Sequence, residues 1–252
     1  MTDQEKQLIG DVCGIKPVAE SALVVTKATV DGVSAFLSRI CLPAAEEFGF
    51  LIQDHIRNWR TRNAASVVTM AEENLRQVPG SEHSGCSPRI ALEVVEKGSW
   101  AEDAALQEMW AGLLASGCTE GADDDSNLIF INRLSGMTRI QVAIMKYACQ
   151  NCRKITVLGG LAAPSERLFA SIKTLVEITS EEDIQRLDRE IDDMREAGLL
   201  HSEAGIDFVD SSEQAIAIAD VLANITPNSL ALHMFVRCEG SRNTPAQFFG
   251  LE

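Results

Sequence analysis

Apolar residues recur every three or four positions along most of the chain, which is the spacing of helices that bury one face. The pattern is longest over residues 43–78, where it predicts one long helix that ends at Pro79-Gly80. It also predicts a preceding amphipathic helix over residues 17–40. Because about two thirds of the chain is predicted to be helical, well above the usual third, the protein belongs to the mainly α class.

Two capping signals predict the starts of further helices. Ser99 is followed three residues later by Glu102, and Thr179 by Glu182, and both pairs have the spacing of a capping box. The first pair predicts a helix over residues 100–116. The second predicts a helix that ends at Gly198.

Short strand signals interrupt the helices in the last third of the chain. Residues 199–201 and 206–209 follow Gly198 and predict a β-hairpin. A helix, a glycine stop and a hairpin in this order form the pattern of a winged helix. Further helices are predicted over residues 165–176, 212–223 and 226–238.

An acidic linker at residues 120–126 is the best candidate for a domain boundary. We therefore predict an N-terminal helical bundle over residues 1–119. A C-terminal winged-helix-like unit that carries a short β-hairpin is predicted over residues 127–252.

The net charge of the chain indicates which classes of binding partner to expect. The chain has 22 basic and 37 acidic residues, which gives a formal net charge of −15. Such a surface repels nucleic-acid phosphates and anionic membranes. The helix before Gly198, which would enter the DNA groove, is itself strongly acidic. We therefore expect a protein partner or self-association, and neither nucleic acid nor a membrane.

The cysteines indicate a reducing compartment. Seven of them are scattered over the chain, an odd number that does not suit a disulfide framework. No secretory leader is recognisable and no apolar run is long enough to cross a membrane, so we expect a cytoplasmic protein. Cys149 and Cys152 form a single CxxC pair, which is too few ligands for zinc. No metal and no cofactor are predicted.

A basic, aromatic cluster supplies the candidate ligand-binding residues. Arg57, Arg60 and Arg62 surround Trp59 on an otherwise acidic chain. Their guanidinium groups could clamp a phosphate or a nucleotide. In the structural alternative, the arginines pair with carboxylates of the same or neighbouring helices. No catalytic residue can be assigned.

The two other tryptophans have a structural and a functional interpretation. Trp110 lies on the apolar stripe of its helix, so we expect its ring in the core. Trp100 is expected to cover an edge of the same core. In the functional alternative, both rings stack on a ligand.

Three stretches carry a resemblance to a known family. The first runs from Leu42-Pro43-Ala44-Ala45-Glu46-Glu47-Phe48-Gly49 to Asn63. The second, over residues 100–115, is an acidic cap followed by Leu-Gln-x-x-Trp-Ala-x-Leu-Leu-Ala. The third spans residues 130–147. Together they resemble the Abi-alpha (abortive infection alpha) family over about residues 40–150. Gly112 departs from the pattern, because the family tends to have asparagine there.

The resemblance implies a role in abortive infection, a response that arrests or sacrifices an infected cell. It supplies no catalytic residues, so an enzyme is not the favoured expectation. Apolar helical faces that could be shared between subunits favour protein association. An effector enzyme or nucleotide-binding protein with an unrecognised site is the first alternative. A membrane-active toxin that uses the amphipathic helix at residues 18–40 is the second.

Overall fold

Helices make up 60% of the residues that the structure describes, so the predicted mainly α class is confirmed. The computed structural model describes residues 27–53, 58–78, 80–81, 84–119, 122–206 and 221–251. The helices of this part are α1 (Lys27–Ile40), α2 (Leu42–Gln53), α3 (Asn58–Arg76), α4 (Pro88–Gly98), α5 (Ala104–Ser116), α6 (Leu128–Leu134), α7 (Arg139–Asn151), α8 (Ile172–Thr179), α9 (Ile184–Glu196), α10 (Ser229–Cys238) and α11 (Pro245–Phe248). The strands are β1 (Gly85–Cys86), β2 (Cys118–Thr119), β3 (Lys154–Val157), β4 (Leu161–Pro164), β5 (Phe169–Ser171), β6 (Gly205–Ile206) and β7 (Leu222–Asn224).

The N-terminal helices pack around α3, which contacts α1, α2, α4 and α5. Its broadest contact is with α5. Both helices bury several small residues, which let two helix axes approach closely. These residues are Ala64, Ala65 and Ala71 on α3 and Ala111 and Ala115 on α5.

The first amphipathic helix is described from Lys27 onward, and residues 17–26 lie outside the described part. Val33, Phe36, Leu37 and Ile40 are buried at helical spacing. The described part of this helix therefore packs its apolar face inside the protein, against α2 and α3.

The long helix predicted over residues 43–78 corresponds to two described helices, α2 and α3, which contact each other. Residues 54–57, which separate them, lie outside the described part. Among the helices that the structure describes, none combines the length and the apolar character needed to cross a bilayer.

Both capping predictions were wrong about the residue that starts the helix. Asp103 caps α5 by accepting a hydrogen bond from the backbone N–H of Leu106 at 3.1 Å. Asp183 caps α9 in the same way, from Gln185 at 3.0 Å. Thr179 is instead the last residue of α8. An aspartate one residue after the predicted glutamate supplies the cap in each case, because its short side chain reaches the free N–H groups of the first turn.

The C-terminal half contains the two-stranded β3–β4 hairpin and a three-stranded antiparallel sheet of order β5-β7-β6. Ile206 of β6 lies opposite Ala223 of β7, so the hairpin predicted between residues 199–201 and 206–209 was wrong. Leu200 forms only a single bridge, to Pro227. The local pattern marked the strand at residue 206 correctly, but the residue that pairs with Ile206 is Ala223, 17 positions further along the chain.

For two of the helices predicted in this half, one boundary was wrong. Residues 169–171 form β5, so the helix predicted from residue 165 begins at Ile172. Residues 222 and 223, the predicted end of another helix, belong to β7, and residues 207–220 lie outside the described part. Pairing between β5 and β7 decides both cases, and a local pattern does not contain it. The winged-helix interpretation stays a prediction.

One apolar core includes residues from both predicted domains, and α10 packs on α5 and α7. The closest approach is at Gly112, where an added Cβ would lie 1.7 Å from the carbonyl oxygen of Cys238. Glycine is therefore required at the position where the sequence departs from the asparagine of the family pattern. The division into two domains stays a prediction.

We expect Gly112→Ala to destabilise the protein by about 3 kcal/mol or more, because the methyl group overlaps backbone that cannot move without shifting α10. The free energy of unfolding in urea measures this. Gly49→Ala is the matched control: a Cβ there meets nothing within 4 Å, so alanine should be neutral or stabilise α2. Equal effects of the two substitutions would contradict the close contact.

Candidate functional site

A polar stripe on α3 faces the connection between α4 and α5, which we call the α4–α5 connection (residues 99–103). Arg60, Asn63 and Ser66 are spaced three residues apart, so they lie along one side of the helix. All three side chains form hydrogen bonds with the connection or with Gln107 of α5. The polar stripe on α3 thus fixes the α4–α5 connection, where the chain turns from α4 into α5.

Arg60 is the centre of this network. Its side chain is buried, with 4% of the residue exposed. Nε and Nη2 donate to Ser99 Oγ at 2.9 and 2.8 Å, and Nη2 also donates to the carbonyl oxygen of Glu96 at 3.4 Å. Glu96 lies in the last turn of α4, where carbonyl groups lack helical partners and a positive charge is favourable. Arg60 therefore closes the C-terminal end of α4.

Gln107 completes the network from α5. Its amide nitrogen donates to the carbonyl oxygen of Ala101 at 2.8 Å and to Asn63 Oδ1 at 3.4 Å, while its amide oxygen accepts from Ser66 at 2.8 Å. Asn63 in turn donates to the carbonyl oxygen of Ser99 at 3.1 Å. The backbone carbonyl groups of Ser99 and Ala101 therefore accept hydrogen bonds from side chains of α3 and α5.

Trp100 lies in this connection and is 58% exposed, yet its ring is held on two sides. The guanidinium carbon of Arg60 lies 4.2 Å from the ring centroid, which is a cation–π contact. Trp59 meets the same ring edge to face, with centroids 5.4 Å apart. The ring is thus both accessible and fixed.

A pocket of about 230 Å³ lies beside this ring, and we call it the Trp100 pocket. It is mostly apolar and is lined by Lys97, Trp100, Ala101, Leu106, Trp110, Leu134, Ser135 and Met137. Pockets for small molecules usually measure about 300–1,000 Å³. The Trp100 pocket is therefore better suited to a single apolar side chain than to a nucleotide.

The predicted ligand-binding arginines have different positions. Arg60 lies inside the network, against Ser99 and Trp100, and Arg62 is exposed on α3. Arg57 lies outside the described residues. Neither described arginine lines the Trp100 pocket, so a role in ligand binding stays a prediction for this set.

A second depression lies between α3, α5, α7 and the end of α10, and we call it the carboxylate cleft. Its volume is about 320 Å³ and its lining comprises Met70, Glu73, Asn74, Glu108, Lys146, Cys238 and Glu239. Lys146 and Glu108 form an ion pair at 2.8 Å across the cleft. A neighbouring depression of about 590 Å³ shares Asn74 and Glu239 with it and extends to Arg242.

Burial raises the pKa of the Glu239 carboxyl, and the nearby Glu108 adds to the increase, whereas Lys146 opposes it. Glu239 directly follows α10, so its negative charge also lies at the unfavourable end of that helix dipole. The cleft therefore contains a carboxyl group that favours its protonated form more than an exposed glutamate does.

The six cysteines of the described residues are buried. Desolvation raises the pKa of the Cys149 and Cys152 thiols, so both resist forming the reactive thiolate. Within the described ranges, no group of three or more histidine, cysteine, aspartate or glutamate side chains is arranged to hold a metal ion.

Comparison with known proteins identifies the family. The sequence model of the family described as abortive infection alpha matches residues 60–229, about two thirds of the chain. The protein belongs to the abortive infection alpha family. The resemblance inferred from the motifs is thereby confirmed, and family membership indicates a role in abortive infection defence. No curated protein and no solved structure matches the chain.

The family match begins at Arg60 and includes the whole network around the α4–α5 connection. Sequence reasoning placed Trp110 in the core correctly, since it is 2% exposed. It missed the link from Arg60 to Ser99, because these residues are 39 positions apart and the local spacing of Ser99 suggested a helix cap instead. The spacing of Arg60, Asn63 and Ser66 was the available signal.

We expect Arg60→Ala to lower the free energy of unfolding by about 2–4 kcal/mol, because charged hydrogen bonds are lost and Ser99 and Glu96 lose a partner. Chemical denaturation followed by circular dichroism measures the change. Arg62→Ala removes an exposed arginine two residues away and should cost less than about 0.5 kcal/mol. If Arg60→Ala cost no more than this control, the network would not stabilise the connection.

Glu239→Gln should raise the melting temperature at pH 7. The folded-state pKa of this carboxyl lies above its ordinary value of 4.5, so its protonated form favours folding. That contribution is complete below pH 4.5 and is lost as the pH rises through the folded-state pKa. The advantage of glutamine should therefore be largest at neutral pH and shrink towards pH 4.5.

Thermal scans at several pH values, with the exposed Glu196→Gln as control, check this expectation. A lower melting temperature for Glu239→Gln at pH 7 would show that the attraction to Lys146 outweighs the cost of burial.

Proposed function

We propose that this member of the family acts in abortive infection by binding a protein partner at the Trp100 pocket, rather than by catalysing a reaction. The observation that carries the proposal is the Trp100 ring, which is exposed, held by Arg60 and Trp59, and adjacent to an apolar pocket. The partner would insert one aliphatic or aromatic side chain between Trp100 and Leu106.

The arrangement has the features of a binding hot spot. Tryptophan and arginine are enriched among the few residues that dominate the energy of interfaces, and such residues pair with pockets on the partner. A ring that is already fixed loses little conformational freedom when a partner binds. The contact with Arg60 and the hydrogen bonds of Asn63 and Gln107 therefore support affinity without touching the partner.

The charge of the protein supports a protein partner over nucleic acid. With a net charge of −15, the chain repels a phosphate backbone over most of its surface. The Trp100 pocket provides one cation, Lys97, and that side chain already pairs with Glu93 at 2.8 Å. Apolar contact is thus the main interaction that this pocket offers.

In cells that express the gene together with its neighbouring genes, Trp100→Ala should abolish most of the protection against phage. The efficiency of phage plating measures this protection. Loss of an anchor tryptophan weakens binding by about 2 kcal/mol or more. The melting temperature should fall only modestly, because the ring loses its contacts with Arg60 and Trp59 but is 58% exposed. Leu42→Ala, which truncates another apolar residue of 58% exposure, is the matched control and should retain protection.

Full protection by a folded Trp100→Ala variant would reject the pocket as the binding site. Trp100→Phe, which keeps an aromatic ring, should retain part of the protection.

The carboxylate cleft supports a second candidate, an effector enzyme. A glutamate with a raised pKa beside a lysine is the kind of group that serves in general acid–base catalysis. The same plating assay separates the candidates. Loss of protection with Glu239→Gln, at unchanged protein level and with Trp100→Ala still protecting, would favour the enzyme.

A further inference from the structure

The hairpin formed by β3 and β4 has one apolar face that is partly exposed. Ile155 pairs with Ala163, and Val157 pairs with Leu161. The side chains of these two pairs therefore lie on the same face of the hairpin. Ile155, Val157 and Leu161 are 45%, 38% and 51% exposed, and Leu158 at the turn is fully exposed. We call these four exposed residues, Ile155, Val157, Leu158 and Leu161, the apolar hairpin face.

The opposite face fixes the hairpin to the rest of the protein. Ala162 is fully buried there, and β4 packs on α10 and α11. Thr156 donates to the carbonyl oxygen of Leu251 at 3.1 Å. Lys154 lies over the ring of Phe249, 4.3 Å from its centroid. The apolar hairpin face is therefore held in place on a rigid support.

The turn keeps Leu158 pointing away from the protein. Gly159 and Gly160 have φ values of +90° and +78°, a backbone conformation that residues with a side chain rarely adopt. The N–H of Gly160 closes the turn on the carbonyl oxygen of Val157 at 3.0 Å. The two glycines thus make a tight turn with a leucine at its tip.

Charge indicates where two copies of this acidic chain can meet. Residues 126–165 contain no aspartate or glutamate and five basic residues, although the whole chain has a net charge of −15. Two such chains repel each other wherever their carboxylates face. The apolar hairpin face belongs to this stretch of the sequence and is itself uncharged, so its own residues and those adjoining them in the sequence add no carboxylate repulsion between two copies.

The strand edges favour a protein over a lipid surface as the occupant. Among the described strands, β3 pairs only with β4, and β4 only with β3, so one edge of each lacks a strand partner. Backbone groups on a free edge can pair with another strand, whereas in lipid each unpaired group costs several kcal/mol. The acidic remainder of the chain would also repel an anionic leaflet.

We propose that the apolar hairpin face is a self-association surface, on which the hairpins of two copies pack together around a twofold axis. A symmetric contact of this kind places the same residues on both sides. Each copy contributes on the order of 400 Å² of apolar surface, so the pair buries less than the 1,200–2,000 Å² typical of stable complexes, and the dimer is weak and reversible. None of these residues lines the Trp100 pocket, so this proposal is independent of the proposed function.

Sedimentation velocity of the full chain, from about 1 to about 200 µM, tests the surface through the dissociation constant of the dimer. Wild-type protein should shift from monomer to dimer across this range. The double substitution Leu158→Asp and Leu161→Asp puts like charges at the contact and should weaken association at least tenfold. Its melting temperature should stay close to that of the wild type, because both residues are exposed.

Ile129→Asp and Leu222→Asp, made together, are the matched control. They add the same charge at residues of 48% and 47% exposure elsewhere, and dimerisation should be retained. A wild type that stays monomeric over the whole range would overturn the proposal, as would a dimer that survives the hairpin substitutions.

Two further measurements identify other occupants. A dimer lost in Trp100→Ala but kept in the hairpin variant would place self-association at the Trp100 pocket and overturn the proposal. A monomeric protein that co-sediments with vesicles of anionic phospholipid, and loses this binding with Leu158→Asp, would make the face a membrane contact instead.

Discussion

The buried guanidinium of Arg60 is the interaction on which the candidate site depends. A charge removed from water must be compensated by hydrogen bonds, and here Ser99 and the end of α4 supply them. In doing so, Arg60 closes one helix, fixes the turn into the next and supports the face of Trp100. Loss of this one group would release the connection and the exposed ring together.

The same network explains why a mostly exposed tryptophan can serve as a binding element. Asn63 and Gln107 hold the backbone on either side of Trp100, and Arg60 and Trp59 contact the ring itself. An exposed ring without such support would have to be ordered when a partner arrives, which costs free energy. The network and the pocket lie in the part of the chain that matches the abortive infection alpha family.

The surfaces of this protein differ in the chemical groups that they present. The formal net charge of −15 opposes association with phosphate-rich partners. The Trp100 pocket and the apolar hairpin face offer apolar contact, whereas the carboxylate cleft offers protonatable groups around Lys146. Because these surfaces use different side chains, a substitution in one of them leaves the side chains of the others in place.

The sequence by itself determined the helical class, the family and the burial of Trp110, because each depends on patterns that repeat within a few turns of one helix. The local alternation of residues also marked the strand at residue 206, although not its partner in the sheet. The sequence did not determine that Ser99 serves Arg60 rather than a helix cap, or that Gly112 is needed where Cys238 approaches. These facts depend on groups 39 and more than 100 residues apart, and only the packing of α3, α5 and α10 brings them together.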